Sequence, residues 1–557
     1  MLCDVKNKYI IEEIFKYMKN KRKLNILKYN KNMLDRLNIT KDDFKTYTII
    51  KDINTKFNIN IDDIDIKELN IINKNIGNER LKYLNKVRFN EIEILNLEHN
   101  YISDINILEN YKLEKLRELY LNFNIIFDLK VLEKVNFKKL EVLYLSRNNI
   151  SNINILEKAD FKELKELDLS YNKISDIKIF EKVNFKKLNA LYLGSNNVSN
   201  IYILEKANFE QLEILDLSHN NISDISVLGT VNFNELKEIY LDINSISNIN
   251  ILEIVHFEKL EVLNLSNNKI SDINILEHTK FKQLKELYLS SNSISHINVL
   301  EKAKFEKLEI LSLDNNTITN INVLAKVNFR ELKKLGLFSN NINSINILSK
   351  VKFTKLEILS LDNNKIEDIN ILKGVKFPRL KILSLDDNKI ENINVLEQSN
   401  FKELNILYLG KNRITDIDVL GKVNFENLEI LNLSQNKIAD INISSILNFK
   451  KLKELYLNNN NISYIKTNAF IKVNFAELEL LYLNKNKIKS IDFFKKIKFP
   501  KLKKLYLDSN QILNIQIFQT VKFEQLELLN LDNNKINKIK NNKVILELKS
   551  MIKEFSI

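Results

Sequence analysis

The sequence contains few of the residues that bend or cross-link a polypeptide. Its 557 residues include seven glycines, two prolines, one cysteine and no tryptophan. A glycine-rich phosphate-binding loop is excluded, because such a loop needs several closely spaced glycines. The single cysteine, Cys3, excludes an intramolecular disulfide of the kind that stabilises many secreted repeat proteins. The low cysteine content therefore indicates an intracellular protein.

The sequence predicts neither an export signal nor a membrane anchor. The first twenty residues, MLCDVKNKYIIEEIFKYMKN, are charged along their length and hold no apolar signal-peptide core. No stretch reaches the roughly 18 uncharged apolar residues that a membrane helix needs. We therefore expect a soluble cytoplasmic protein, with the nucleus as the alternative location and with no membrane partner.

The net charge of +13 is concentrated at the two ends of the chain. Residues 1–60 carry 14 Lys and Arg against 7 Asp and Glu, and residues 535–557 carry 6 Lys against 2 Glu. The residues between them have a net charge of only +2. A nucleic-acid-binding protein is expected to have a continuous basic face. The distribution instead indicates a solubilising surface and does not favour a nucleic-acid partner.

Residue types used in catalysis and metal binding are present but not grouped. The five histidines, at positions 99, 219, 256, 278 and 296, form no HxxxH pattern, and there is no CxxC pair. Carboxylates are abundant, yet they lie in a mixed-charge pattern that singles out no pair. We therefore predict that the protein is not an enzyme and needs no cofactor.

One pattern fills most of the chain. Phenylalanine recurs with a period of twenty-four from Phe89 to Phe523, apart from one slightly longer step between Phe449 and Phe475, and Leu113 replaces it once. The unit reads F-x-x-L-x-x-L-x-L-x-x-N-x-I-x-x-I-x-x-L-x-x-x-x, as in KLEVLYLSRNNISNINILEKADF at residues 139–161. Nineteen such units extend from residue 89 to about residue 546.

Each unit predicts a short strand, a turn and a compact return. Leu143 and Leu145 are two residues apart, so both face one side of a strand. After Asn148 the apolar spacing changes to three, which is typical of a short helical or 3₁₀ segment. Strands of successive units then pair in parallel. We expect the repeated Asn to satisfy buried backbone groups at the turn and the repeated Phe to fill the space between returns.

A period between twenty and thirty with Leu and Asn at fixed positions resembles the leucine-rich repeat family, over about four fifths of the chain. The resemblance implies an α/β solenoid with parallel strands on a concave face and short helical or 3₁₀ segments on the convex face. The return pattern I-x-x-I-x-x-L is similar to the intracellular class found in phosphatase regulatory subunits and to bacterial internalins. The return here is about two residues longer than in that class.

Both ends of the repeat array are predicted to be capped, since a solenoid would otherwise expose its core. Residues 65–88 resemble a degenerate first repeat, with Ile66, Leu69 and Ile71 in strand positions. Residues 544–557, KVILELKSMIKEF and the residues around it, place Val544, Leu548, Met551 and Phe555 at helical spacing, which predicts a capping helix. The nineteen repeats of residues 89–546 lie between these caps.

Residues 1–64 lack the repeat and are predicted to form a small helical region. The stretch IIEEIFKYM resembles the start of an F-box, although the usual proline is absent and no tryptophan follows. The resemblance implies that this region binds a ubiquitin-ligase adaptor through Ile11, Ile14, Phe15, Tyr17 and Met18. The alternative is a helical cap on the first repeat.

The strand face is the expected partner-binding surface, because leucine-rich repeat proteins usually bind partners on their concave side. The residue between the two strand leucines is tyrosine in nine units, and tyrosine is favoured at interfaces. The alternative is a row of stacked side chains that only shields the sheet. The tyrosines are Tyr120, Tyr144, Tyr192, Tyr240, Tyr288, Tyr408, Tyr456, Tyr482 and Tyr506.

Four successive units interrupt this row with small residues. Ser312, Gly336, Ser360 and Ser384 stand where tyrosine would be, between Tyr288 and Tyr408. Four carboxylates follow these positions closely. We predict that this shallow acidic stretch, about 24 Å long at the usual strand spacing, binds a basic segment of a partner. The carboxylates belong to Asp314, Asp362, Asp386 and Asp387.

The sequence thus predicts a non-enzymatic scaffold or adaptor that binds protein partners. Two more specific functions are kept as alternatives. The F-box-like segment implies a substrate receptor of a ubiquitin ligase. The repeat class implies a regulatory subunit of a protein phosphatase, which would bind the phosphatase without the first sixty residues.

Overall fold

The computed structural model describes residues 41–61, 66–86, 91–446, 448–466, 473–521 and 523–557. The five residues of the F-box-like segment lie outside these ranges, and the prediction that they bind an adaptor stays a prediction. They are Ile11, Ile14, Phe15, Tyr17 and Met18.

The described helices lie at the two ends of the repeats. Helix α1 spans Lys41–Phe57, α2 spans Gly77–Leu81 and α3 spans Asn542–Met551. Helix α1 buries Ile53 and Phe57, and it forms the described part of the small helical region predicted at the N-terminus. The amide of Asn54 closes the end of α1, since its Nδ2 donates to the Ile61 carbonyl and its Oδ1 accepts from the Ile61 N–H, both at 2.8 Å.

The chain divides into two compact units, Met1–Ser245 with Val255–Phe257, and Ile246–Ile254 with Glu258–Ile557. In the described residues of the first unit, eight strands pair in parallel in chain order. They are β1 Glu68–Asn70, β2 Ile94–Asn96, β3 Glu118–Tyr120, β4 Val142–Tyr144, β5 Glu166–Asp168, β6 Ala190–Tyr192, β7 Ile214–Asp216 and β8 Glu238–Tyr240.

The second unit continues the same repeat. Its main sheet is also parallel, and two small pairs, β17–β19 and β20–β22, lie outside that sheet. Its strands are β9 Val262–Asn264, β10 Glu286–Tyr288, β11 Ile310–Ser312, β12 Lys334–Gly336, β13 Ile358–Ser360, β14 Ile382–Ser384, β15 Ile406–Tyr408, β16 Ile430–Asn432, β17 Asp440–Asn442, β18 Glu454–Tyr456, β19 Tyr464–Lys466, β20 Val473–Asn474, β21 Leu480–Tyr482, β22 Ile497–Lys498, β23 Lys504–Tyr506, β24 Leu528–Asn530 and β25 Glu554–Ser556.

The register keeps equivalent residues side by side. In the first unit Leu119 pairs with Leu143, and in the second Leu311 pairs with Leu335. Each partner occupies the same position of the next repeat, so the period seen in the sequence is the spacing between neighbouring strands. The parallel strand-and-return architecture predicted from the repeat is confirmed.

The return of most repeats contains a 3₁₀ segment that begins after the second conserved Ile. The segments are Lys82–Lys86, Asn106–Asn110, Lys130–Glu133, Asn154–Glu157, Lys178–Glu181, Tyr202–Lys206, Ser226–Gly229, Asn250–Glu253, Asn274–Glu277, Asn298–Glu301, Asn322–Ala325, Asn346–Ser349, Asn370–Gly374, Asn394–Gln398, Asp418–Gly421, Ile443–Ile446, Asp492–Lys496 and Gln516–Gln519. At the two-residue insertion the described chain is extended instead, in β19 before it and β20 after it.

The repeated Asn forms a ladder that joins neighbouring repeats. Asn148 Nδ2 donates to the carbonyls of Leu121, Leu145 and Ser146 at 2.9, 3.0 and 3.2 Å. Its Oδ1 accepts from the N–H of Ile126 at 2.9 Å. One side chain thus satisfies backbone groups of two repeats where the chain leaves the sheet.

The repeated Phe is buried from Phe137 to Phe499 and forms the second internal column. Phe137 and Phe161 stack with centroids 6.4 Å apart, and Phe209 and Phe233 stack at 6.3 Å. Because these rings pack between successive returns, they hold the 3₁₀ side of each unit together.

The C-terminal cap differs from the prediction of one helix over residues 544–557. Helix α3 ends at Met551, which is 70% exposed, and Phe555 lies in strand β25. The N–H of Glu554 donates to the Glu527 carbonyl at 2.9 Å, and Phe555 pairs with Leu529. The helical spacing of Met551 and Phe555 was misleading, because β25 gains hydrogen bonds from the edge of β24 that a longer helix would leave unmade.

Rows of ion pairs run from repeat to repeat on the surface. One row alternates in sign: Glu141 accepts from Arg117 at 2.7 Å and from Lys165 at 2.6 Å. In the second unit Lys285 pairs with Glu261, and Lys333 with Glu309, both at 2.6 Å. These rows explain how a chain with 28% charged residues is nearly neutral across its repeats. Exposed pairs of this kind contribute little to stability individually.

The strand face as candidate functional site

In the main sheet of each unit, the three residues of a strand divide between core and surface. In β4, Leu143 is fully buried, while Val142 and Tyr144 are half-buried and point away from the core. We call the surface formed by such outward residues the strand face. Because the leucines fill the core, the outward positions are free to vary without disturbing the fold.

The predicted tyrosines all lie on the strand face, at the last position of their strands. Several hydroxyls donate to a glutamate on the same face: Tyr120 to Glu118 at 2.8 Å, and Tyr456 to Glu454 at 2.6 Å. Tyr144 donates to a glutamate of the next repeat, Glu166. These contacts fix the rings in place and leave one side of the row facing solvent. The remaining members are Tyr192, Tyr240, Tyr288, Tyr408, Tyr482 and Tyr506.

Neighbouring tyrosine rings also contact one another. Tyr120 and Tyr144 meet edge to face at 5.2 Å, whereas Tyr456, Tyr482 and Tyr506 stack with centroids 4.8 and 4.3 Å apart. Burial raises the pKa of Tyr482 to about 12 and raises the pKa of Tyr144 as well. The phenols are therefore neutral at physiological pH and act as hydrogen-bonding aromatic surface.

The small-residue interruption is held by carboxylates that link repeats. Asp362 Oδ1 accepts from the Asp386 N–H at 2.9 Å and from the Ser384 hydroxyl, and Asp362 Oδ2 accepts from Ser360 at 2.8 Å. Asp386 in turn accepts from the Gly410 N–H at 2.5 Å and from Asn432 Nδ2 at 2.9 Å. Each carboxylate is thus oriented by the next repeat.

Asp314 occupies the equivalent position at the other end of the interruption. Its Oδ1 accepts from the N–H of Phe338 at 2.8 Å, and its Oδ2 accepts from Ser312 at 2.6 Å. A Cβ added at Gly336 would approach the Asp314 carboxylate more closely than atoms in contact do. Glycine at this strand position is therefore what lets the carboxylate lie over the neighbouring strand.

Asp387 does not join this group. It has a left-handed backbone (φ 54°) and pairs with Lys411 at 2.5 Å. The structure therefore brings together three of the four predicted carboxylates, Asp314, Asp362 and Asp386, and we call them with Ser312, Ser360 and Ser384 the Asp/Ser stretch. No Lys, Arg or His of the described residues forms an ion pair with these three carboxylates.

Burial changes the pKa of one carboxylate in the Asp/Ser stretch. Burial, with the negative charge of nearby Asp362, raises the pKa of Asp386 to about 6. The last part of the Asp/Ser stretch therefore favours a nearby cation or a proton. Tyr288, Ser312, Asp314, Gly336 and Ser360 line an open depression of about 490 Å³ at its beginning.

Some of these features were missed in the sequence. The hydrogen-bonding partners Gly410 and Asn432 lie one and two repeats beyond Asp386, and only the strand register brings them to it. A second column was also overlooked, at the residue just before each ladder Asn. This residue is left-handed in every repeat from His99 to Asn533, with φ between 50° and 57°. Aligning the repeats and reading this column would have revealed its change in composition.

The described residues contain neither a membrane-spanning helix nor a cluster of metal ligands. No helix there has the length and apolarity to cross a membrane. Nor do the described ranges contain three or more His, Cys, Asp or Glu side chains arranged to hold a metal ion.

Family models match several parts of the chain. The model described as "Leucine Rich repeats (2 copies)" matches residues 138–182, 258–302 and 476–520. The model described as "Leucine rich repeat" matches residues 210–270 and 426–488. No curated protein sequence shows significant similarity to the chain.

Many solved structures are similar in fold. A leucine-rich repeat protein of Leptospira interrogans is 20% identical with a TM-score of 0.53, over 86% of this chain and 99% of that one. The Arabidopsis receptor kinase HAESA, in complex with a peptide hormone and a co-receptor, is 21% identical with a TM-score of 0.52, over 88% and 83%. The functional domain of InlJ from Listeria monocytogenes is 19% identical with a TM-score of 0.51, over 68% and 76%.

At these identities the likeness concerns the fold alone. It is a fold typical of protein–protein interaction, and proteins that have it are generally binding scaffolds without enzymatic activity. The repeated sequence, the matching family models and the strand-and-return geometry identify the units of this chain as leucine-rich repeats stacked in leucine-rich-repeat solenoids.

Proposed function

We propose that the protein is a non-enzymatic, intracellular scaffold whose strand face binds protein partners, and that the Asp/Ser stretch binds a basic segment of such a partner. The observation that carries the proposal is the state of the three carboxylates. Asp314, Asp362 and Asp386 are held in fixed positions by hydrogen bonds, and the ion-pair rows that neutralise other carboxylates do not include them.

The geometry suits a cationic side chain. Each carboxylate is already oriented, so a partner loses little of its binding free energy to ordering them. The small side chains of Ser312, Ser360 and Ser384 leave room for an extended chain across the strands. A Lys or Arg placed beside Asp386 would also favour its ionised form.

Neutral substitution tests the proposal. A random library of displayed twelve-residue peptides is selected on the wild-type protein and counter-selected on the double variant Asp362→Asn/Asp386→Asn. We expect the remaining peptides to be rich in Lys and Arg. A synthetic peptide of the most enriched sequence should bind the double variant at least about tenfold more weakly than the wild type, the loss typical of charge-assisted hydrogen bonds.

Asp368→Asn is the matched control. Asp368 lies in a return and accepts from the Asn370 N–H at 2.8 Å, and Asn152 accepts from the Asn154 N–H in the same way at 2.9 Å. This variant removes one negative charge in a repeat of the Asp/Ser stretch without touching the strand face. Equal losses in the control and the double variant would contradict the proposal, as would selected peptides without basic residues.

The two more specific functions predicted from the sequence have no support among the findings and remain predictions. The substrate-receptor prediction requires the helical region that precedes residue 65, whereas the phosphatase-subunit prediction does not. A pull-down with the full chain and with residues 65–557 separates them. Recovery of a ligase adaptor by the full chain alone supports the first, and recovery of a phosphatase by both supports the second.

A further inference from the structure

The left-handed column has a different composition in the two units. In the second unit five of its twelve residues are Asn, the non-glycine residue that best tolerates φ > 0. The first four repeats instead place His99, Phe123, Arg147 and Tyr171 there, with φ of 55°, 54°, 52° and 52°. Bulky side chains at left-handed positions cost backbone free energy and commonly mark functional surfaces.

These four side chains form one continuous stack, which we call the aromatic stack. The rings of His99 and Phe123 lie parallel with centroids 3.9 Å apart. The Arg147 guanidinium lies 4.9 Å from the Phe123 centroid and 4.0 Å from the Tyr171 centroid. All four side chains are exposed, and Phe123 and Tyr171 are 42% and 49% accessible.

Further apolar surface adjoins the stack. Tyr101, Ile125 and Phe127 follow its members by a few residues and are 67%, 44% and 62% exposed. Exposed large hydrophobic residues are scattered elsewhere in the described chain, but here they fall in neighbouring repeats. Exposed apolar side chains concentrated in neighbouring repeats are typical of a protein-binding surface.

Arg147 adds a positive charge to this surface. In the described part of the chain no carboxylate forms an ion pair with it, whereas Arg117, in the preceding repeat, pairs with Glu141 at 2.7 Å. The rings on both sides of the Arg147 guanidinium restrict its motion and leave its N–H edge open. A planar guanidinium presented in this way matches a carboxylate, which accepts two parallel hydrogen bonds from it.

We propose that the aromatic stack is a second partner-binding surface, which binds an extended protein segment carrying an Asp or Glu next to a large apolar side chain. The carboxylate contacts Arg147, and the apolar side chain packs on Phe123 or Tyr171. Single-stranded nucleic acid also stacks on aromatic rings, but it needs a basic groove along its backbone. The stack itself contains one Arg and no Lys, so a peptide fits it better.

The substitution Arg147→Asn tests this proposal without disturbing the fold, because Asn363 holds the same position with the same left-handed backbone (φ 50°). The same displayed peptide library is selected on the wild type and counter-selected on Phe123→Asn/Arg147→Asn. We expect the remaining peptides to carry Asp or Glu within two positions of Leu, Phe, Tyr or Trp. A synthetic peptide of the most enriched sequence should lose at least about tenfold in affinity on Arg147→Asn.

The control is Arg413→Ala, which removes an exposed Arg whose partner Glu391 lies at 3.6 Å, and its affinity for the peptide should equal that of the wild type. Failure to enrich any peptide over the counter-selecting variant would overturn the proposal. Binding of labelled oligothymidylate that Arg147→Asn abolishes would assign the stack to nucleic acid instead. A larger oligomer of the wild type than of the variant would assign it to a second copy of this chain. The result is separate from the test of the Asp/Ser stretch, since the two counter-selecting variants lie in different units.

Discussion

The Asp/Ser stretch and the aromatic stack occupy equivalent repeats of the two units. Nine repeats separate each residue from its counterpart, and a row of charges marks the correspondence: Glu141, Lys165, Asn189 and Glu213 recur as Glu357, Lys381, Asn405 and Glu429. On this alignment Phe123, Arg147 and Tyr171 correspond to Ser339, Asn363 and Asp387. Tyr120, Tyr144 and Asp168 correspond to Gly336, Ser360 and Ser384.

The comparison separates the features that hold each repeat together, which we call the frame, from the residues exposed on its surface. The buried leucines, the Asn ladder and the parallel register are the same in both sets of repeats. In the first-unit repeats the outward strand position and the left-handed position are mostly aromatic, with Arg147 and Asp168 as the charged residues. In their second-unit counterparts these positions hold small or polar residues, with Asp387 as the charged one. The residues that differ between the two sets of repeats therefore lie at positions that the core does not use.

The largest expected effect tests whether the Asn ladder contributes equally to stability in the two units. Asn148→Ala and its counterpart Asn364→Ala each remove an amide that donates to three carbonyls and accepts one N–H. Each change should destabilise its repeats by about 3 kcal/mol, because several buried backbone groups lose their partners. Hydrogen exchange resolved by mass spectrometry should show similar loss of protection at both sites. A clear difference between them would mean that the frames are not equivalent.

The next prediction concerns the glycine that replaces Tyr120 in the second unit. In Gly336→Ala the added methyl collides with the Asp314 carboxylate, which must give up its bonds to Phe338 N–H and Ser312. We expect the free energy of unfolding to fall by about 1 kcal/mol, the usual net value of a hydrogen bond that water can partly replace, measured by urea denaturation. Gly374→Ala is the control, since its nearest new contact is Ser349 Cβ at 3.5 Å. A neutral Gly336→Ala would show that the carboxylate position is not fixed by the strand.

A third prediction uses pH to contrast a carboxylate of each unit. The pKa of Asp386 is raised to about 6 by burial, so the folded state binds its proton more tightly than the unfolded state does. Its contribution to stability is therefore present below the unfolded value near 4 and is lost as pH rises through about 6. The urea concentration at the unfolding midpoint should therefore decrease for the wild type, relative to Asp386→Asn, as the pH is raised from about 4 to about 6.

Glu141 of the first unit should behave in the opposite way. Hydrogen bonds from Arg117 and Lys165 lower its pKa to about 2. Its contribution is present above the unfolded value near 4.5 and is lost as pH falls through about 2. The difference between wild type and Glu141→Gln should therefore shrink on acidification and also at high salt. The same pH trend for Glu141→Gln and Asp386→Asn would contradict the assigned environments.

The smallest effect is expected from the alternating charge row. Glu93→Gln and Glu309→Gln remove equivalent carboxylates, paired with Lys67 at 3.0 Å and Lys333 at 2.6 Å. Because solvent screens both pairs, the thermal midpoint should change little and equally in the two variants. A large loss in either one would show that the row contributes more to the fold than single exposed pairs usually do.

Much of the frame was predictable because it repeats. The constant period, the buried Leu and Phe columns and the Asn ladder follow from patterns that recur in about nineteen units. The end of the chain was not predictable in this way. Phe555 has helical spacing from Leu548, yet it lies in β25, because the open edge of β24 offers backbone hydrogen bonds that no sequence window reveals.

The candidate surfaces were predictable only in part. The row of tyrosines and its interruption are visible in the sequence, and the structure places them on one face. That Asp387 turns away to Lys411 while Asp386 contacts Gly410 and Asn432 depends on a single left-handed residue. The aromatic stack escaped notice because each of its members lies one repeat from the next and they share no residue type.

The sequence by itself determined the repeat, its length and the side chains that fill its interior, since each of these depends on contacts that every unit makes in the same way. The tertiary structure decided which outward side chains meet. Parallel pairing sets residues that are one repeat apart in the chain side by side, so Arg147 lies between Phe123 and Tyr171, and the Asp386 carboxylate bonds to the next repeat. These neighbours are created by stacking, and stacking is a property of the folded array.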